Sequence, residues 1–278
     1  MLNVAADPVP SIREADATGD IAVLYDDIRA TLGVPVVNLI WRHLAVLPGG
    51  LSWAWATLKP IYANGAIAAE ANALRDGLQV PTLPGLTAPA LSSVGLGKAD
   101  LKQINVILAS YEQSNAMNII ALGALVARLE GIQTVSTRFH TTRSVFQLVE
   151  GRMPPLLTLD EMSSDVRALV NGLNAVGGRA EILASMYRHL ANWPAYLGLI
   201  SALITPMNAD GRLESVILGV IADGRRRAAS LAGALATPED RIDAGIQNDI
   251  GTALNRFIDG PIGKMIAVVP LIKKAMPN

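Results

Sequence analysis

SMYRHLANWPAYL, residues 185–197, repeats a pattern already written at residues 40–51 as IWRHLAVLPGGL. Aligning the two pairs Arg42 with Arg188, His43 with His189, Leu44 with Leu190, Ala45 with Ala191, Pro48 with Pro194 and Leu51 with Leu197, an offset of 146 (188 − 42). The same register continues through Pro60 with Pro206, Asn64 with Asp210 and Gly65 with Gly211. Chance similarity between helices rarely keeps an Arg-His-Leu-Ala run, two prolines and a glycine in one frame. The chain therefore reads as two tandem units, residues 1–150 and 156–278, joined by the short linker GRMPP at 151–155. Duplicated units bury each other's apolar faces about a pseudo-twofold axis, and the seam between them is the natural pocket.

Outward from this repeat, apolar residues recur at helical spacing: Ile21, Leu24, Ile28, Leu32; Leu101, Ile104, Leu108, Tyr111; Ile242, Ile246, Ile250, Leu254. Sustained two-residue alternation is missing, so the expected fold is all-α, a pseudo-dimer of two helical units. Gly33 is placed to close the first helix. Thr158 with Glu161 reads as a capping box, and Thr237 before Pro238 as a helix start. Residues 79–97, with Pro81, Pro84 and Pro89, read as a long irregular loop.

Composition removes several classes of function. Hydrophobic residues make up 51% of the chain and charged ones 17%, which demands a large interior, yet no apolar run of membrane-spanning length escapes a proline or a charge. The net charge of -1 gives no basic stripe for nucleic acid, and Arg225–Arg227 reads as a solvated helix face. Without cysteine there is no disulfide, thiolate metal site or cysteine nucleophile, and no cofactor or metal is expected. The N-terminus lacks a basic segment followed by an apolar core, so a cytoplasmic protein is expected, with no membrane partner.

YDDIRATLGVP at 25–35, RHLAVLPGGLSWAW at 42–55, PTLPGL at 81–86, PPLLTL at 154–159 and LANWP at 190–194 together resemble the DL-2-haloacid dehalogenase family of the group I type. The resemblance runs collinearly over most of the chain. It implies an all-helical pseudo-dimer that hydrolyses 2-halocarboxylic acids, an aspartate activating the attacking water and an asparagine holding it. It also implies a homodimer. Carried over residue by residue, the asparagine falls on Asn115 and a serine before the aspartate on Ser185, while the aspartate itself falls on Met186. Pocket positions fall on Val36, Leu39, Met186 and Leu254, all apolar.

The residues support that deficit independently. Ile182, Met186 and Leu190 share one helix face, and a thioether accepts no proton near neutral pH. Ser114 and Asn115 also suit the start of a helix running to Arg128, and Ser185 suits a hydroxyl bonded to its own backbone one turn inside a helix. The matched His43 and His189 read first as a repeated packing solution and second as a base or metal pair. His140 in TRFHTTR reads as a polar surface turn, Trp193 as a residue for the pocket mouth or the core. Glu112 and Glu181 are the carboxylates nearest in sequence to the inherited site. Two functional readings follow: a divergent family member whose altered pocket binds a small organic acid or apolar ligand, and an active hydrolase of carbon–halide bonds with a substitute base.

Overall fold

The computed structural model describes residues 9–132 and 147–277, and no strand is present among them. The chain begins with α1 (Gly19–Leu32), α2 (Leu39–Leu44), α3 (Gly50–Ala63), α4 (Ala66–Gly77), α5 (Ala88–Ser93) and α6 (Lys98–Leu129). Then follow α7 (Ser164–Ala175), α8 (Ser185–Leu190), α9 (Pro194–Ala209), α10 (Arg212–Ala229), α11 (Ala244–Phe257) and α12 (Gly263–Lys274). Among the described residues no helix is long and apolar enough to cross a membrane.

Helix α6 is the axis of the molecule. Its 32 residues extend about 48 Å, and every residue from Gln113 to Ala127 is buried. A helix covered on all sides needs neighbours all round; α10, α12, α4 and α11 supply them. At Gly123 a Cβ would stand 2.7 Å from that of Ala228, so glycine sets how closely α6 and α10 approach. One continuous core runs from Val9 to Met276 through both halves of the chain.

The repeated sequence gives matching local structure. α2 and α8 are both six-residue helices, and Pro60 and Pro206 lie inside α3 and α9. Each of these helices ends in a polar residue whose side chain accepts a backbone N–H two residues on, Asn64 from Ala66 at 2.9 Å and Asp210 from Arg212 at 3.1 Å. The intervening glycines, Gly65 and Gly211, have φ of 82° and 79°, the left-handed region that side chains with a Cβ avoid.

Several boundaries differ from expectation. Gly33 does cap α1 in the left-handed conformation. The Thr158–Glu161 box forms, but it heads a single 3₁₀ turn, and α7 starts after Ser163, whose hydroxyl accepts from Val166 N–H. Thr237 starts no helix; its hydroxyl accepts from Arg128 Nη2 at 3.0 Å, and Asp243 caps α11. The stretch 79–97 contains α5, capped by Thr87. Between α11 and α12 the chain passes through one wide π-type turn, Ile258–Ile262, where Pro261 removes an N–H from the ladder.

Lys264, fully buried at the start of α12, holds the segment leading into α8. Its Nζ donates to Asn174 O at 2.6 Å, Asn174 Oδ1 at 3.0 Å and Arg179 O at 2.8 Å. Burial, followed by the Arg179 charge, lowers its pKa to about 7. Three carbonyl oxygens are a full acceptor set for an ammonium, so this contact fixes where the wall Leu183–Met186 stands.

Candidate active site

Helices α2, α6 and α8 and the turn between α11 and α12 enclose the residues that the sequence singles out. Leu39, Asn115, Ser185 and Met186 line one cavity of about 30 Å³, together with Asn38, Ile40 and Tyr111. Ile40 and Met186, matched by the 146-residue offset, face it from opposite helices and are 1% and 0% exposed. One water needs roughly 10–15 Å³ on this measure, so the space suits about two waters. None of its lining residues is acidic.

The polar groups here differ from their sequence reading. Asn115 caps nothing: it stands in the middle of α6, and its Nδ2 donates to Tyr111 O at 2.8 Å. Ser185 is the first residue of α8, and its Oγ accepts from Arg42 Nη2 at 3.1 Å, so it is bonded across to α2 and not to its own backbone. Asn38 donates to Ser114 Oγ at 3.0 Å. Glu112 and Glu181 turn away into ion pairs with Lys273 and Arg256. Leu254 is fully buried in the core and lines neither this cavity nor its neighbour.

That neighbour lies on the other side of Tyr111 and measures about 320 Å³. Val36 lines it, with Arg13, Glu14, Pro35, Val37, Arg42, Met153, Pro154, Leu156 and His189. The Tyr111 hydroxyl is 3.0 Å from His189 Nδ1. Burial, then the positive charges of Arg42 and Arg188, hold the His189 pKa at about 3, so the ring is neutral. Burial also pushes the Tyr111 phenol up. Glu14 has both oxygens engaged, one by Arg29 Nη1 at 2.5 Å and the other by Val37 N–H at 2.9 Å.

His43, the repeat partner of His189, lines neither cavity. It is half-exposed, with Nδ1 2.7 Å from Pro10 O and its ring stacked on Phe257. The two histidines form no common site, and no cluster of metal-ligating side chains occurs among the described residues. Trp41 and Trp55 pack edge to face in the core, whereas Trp193 is half-buried and donates to Asp100 at 2.9 Å. Gly97 caps the start of α6, its N–H bonded to Asp100. His140 lies outside the described residues.

Sequence reasoning missed Tyr111 and Arg42 as site residues. Tyr111 sat on an apolar periodic face, where a tyrosine looks like any core ring. Arg42 served only to mark the repeat, although a charge in the middle of LIWRHL was a usable signal, because a buried guanidinium needs partners.

No protein-family model matches the chain. A configuration-inverting 2-haloacid dehalogenase of Alcaligenes xylosoxydans xylosoxydans is 28% identical over 204 residues, 69% of this chain and 67% of that protein. A second one, from Pseudomonas sp. (strain 113), is 24% identical over 204 residues, covering 68% and 64%. An (R)-2-haloacid dehalogenase of Pseudomonas putida is 28% identical over 112 residues, 38% of this chain and 37% of its own. Among solved structures, a D-2-haloacid dehalogenase mutant superposes with a TM-score of 0.77 at 16% identity, covering 99% of this chain and 98% of its own. The complex of that enzyme with L-LA gives 0.73 at 17%, covering 99% of both. The chain is thus similar in sequence to configuration-inverting 2-haloacid dehalogenases and shares one helical fold with D-2-haloacid dehalogenase from end to end.

Proposed function

We propose that this protein binds a small organic acid between α2, α6 and α8 and does not hydrolyse it through a carboxylate-activated water. The observation that carries this is Met186: it is fully buried at the position that the family resemblance gives to the aspartate, beside a cavity of about 30 Å³ with no acidic lining residue. Displacement at a carbon next to a carboxylate needs water deprotonated as it attacks, by a group titrating near the working pH. A thioether cannot do this. Acids are the ligand class the relatives suggest, since they are named for 2-haloacids and one solved complex contains D-2-CPA.

The test uses both enantiomers of 2-chloropropionate and 2-bromopropionate. Free halide stays at the buffer level, while the acids raise the melting temperature in proportion to the logarithm of their concentration. Halide release above buffer overturns this reading.

A further inference from the structure

Four side chains on three helices form a single line of hydrogen bonds that ends at the larger cavity. Arg42 on α2 has only donors, so its Nη2, 3.1 Å from Ser185 Oγ, donates there. The Ser185 hydrogen is then directed at the Tyr111 oxygen, a hydrogen bond that opposes the rise in that phenol's pKa. With its oxygen accepting from Ser185, the Tyr111 hydroxyl donates across 3.0 Å to His189 Nδ1. A neutral imidazole that accepts at Nδ1 carries its proton on Nε2. Burial and the two arginines keep the ring neutral, so this tautomer holds across the physiological range. Each bond in the line polarises the next in the same sense.

His189 is 4% exposed and borders the cavity, and among the described residues its ring has no hydrogen bond other than that to Tyr111. The nitrogen left over is thus an N–H donor, held in place by three other side chains. The charged groups around it are Arg42 on α2, Arg188 on α8, and Arg13 and Glu14 on the N-terminal segment. Glu14 is paired with Arg29 and Arg13 with Asp16, and the positive charges of Arg42 and Arg188 that act on the ring favour an anion. The remaining walls, Pro35, Val36, Pro154 and Leu156, are apolar.

We infer that the cavity beyond Tyr111 is a carboxylate site, in which the Nε2–H of His189 and the charge of Arg42 receive the carboxylate and the Val36–Pro154–Leu156 walls enclose a short aliphatic or haloaliphatic tail. This assignment rests on the acid-binding reading above and gives it a location. Arg42 keeps its bond to Ser185 throughout; the site uses its charge. The same tautomer makes His189 a receptor and not a base, while Tyr111 and Ser185 are positioning residues.

The experiment is calorimetric titration of the full-length protein with propionate and 2-chloropropionate, paired with ¹H–¹⁵N spectra of the imidazoles. Wild type is expected to bind both acids and to show His189 protonated at Nε2. Tyr111→Phe leaves Nδ1 without its donor and the ring unfixed, which should weaken the charged hydrogen bond from Nε2–H to the carboxylate and with it binding by about tenfold or more, and should change the His189 nitrogen pattern. Val36→Phe fills the cavity, and should abolish binding with the wild-type tautomer retained. Binding that neither variant alters puts the acid elsewhere and overturns the site while the acid-binding reading stands. No binding to wild type overturns both. An Nδ1-protonated His189, or competition by sulfate as strong as that by propionate, overturns the carboxylate assignment.

Discussion

Helices α2 and α8 carry LIWRHL and SMYRHL, nearly the same word, in nearly the same local geometry. Their apolar second residues, Ile40 and Met186, meet at one small cavity, and their arginines are both buried. Their histidines part company. His43 lies half-exposed against Pro10 and Phe257, while His189 is buried beneath Tyr111 of α6 with its pKa near 3. Arg42 reaches across to Ser185, whereas Arg188 Nε turns to Leu157 O at 2.7 Å. A repeated sequence repeats a helix; what the helix does depends on the element laid over it.

The largest test of that contrast is acid unfolding of the two histidine variants. Folded His189 titrates at about 3, below its ordinary 6.5, so the unfolded chain binds more protons between those pH values. Stability is therefore lost as pH falls from 6.5 towards 3, this one residue contributing on the order of 4 kcal/mol. Urea unfolding of His189→Leu at pH 7, 5 and 4 should show a correspondingly shallower decline than wild type. His43→Leu, at a half-exposed position, should change stability at pH 7 by less than about 1 kcal/mol. Equal slopes for wild type and His189→Leu would remove the distinction between the copies.

The apolar pair offers a second test, in which the copies should behave alike. Met186→Asp places a carboxyl in a space without a cationic partner, at a cost of about 3 kcal/mol or more at pH 8. Burial raises the pKa of the new carboxyl, so part of the loss returns at pH 5. Ile40→Asp should show the same profile because it faces the same cavity, and Met186→Leu should cost less than about 1.5 kcal/mol. Full stability of Met186→Asp at pH 8 would mean that a cation reaches this cavity.

The smallest effect concerns the turns. Gly65→Ala and Gly211→Ala should each cost about 1–2 kcal/mol, because both backbones are left-handed and alanine disfavours that region. Melting of the two variants tests whether the units are built alike: matching losses sharpen the comparison, and a loss at only one turn breaks it.

Much of the fold was legible: periodicity marked the segments that form α1, α6 and α11, and the 146-residue register paired those that form α2 with α8 and α3 with α9. What failed were judgements that depend on distant partners. Ser114 and Asn115 resembled a helix start because short polar side chains usually cap. In the folded chain they sit deep inside α6, where Ser114 accepts from Asn38 and Asn115 donates to the Tyr111 carbonyl. Thr237 resembled a cap for the same local reason, yet its hydroxyl serves Arg128, 109 residues away. At the site, Asn115, Ser185 and Met186 were named and do lie together, whereas Leu254 belongs to the core.

By itself the sequence determined the helical class, the duplicated register and the absence of an ionisable group at residue 186, because those depend on residue type and spacing alone. Tertiary structure decided which histidine is neutral, that Ser185 answers to Arg42, and that the roomier cavity lies beyond Tyr111. These are properties of partners 143 and 78 residues apart in the chain. Burial and hydrogen-bond direction depend on what the fold brings alongside a residue, and no local pattern encodes them.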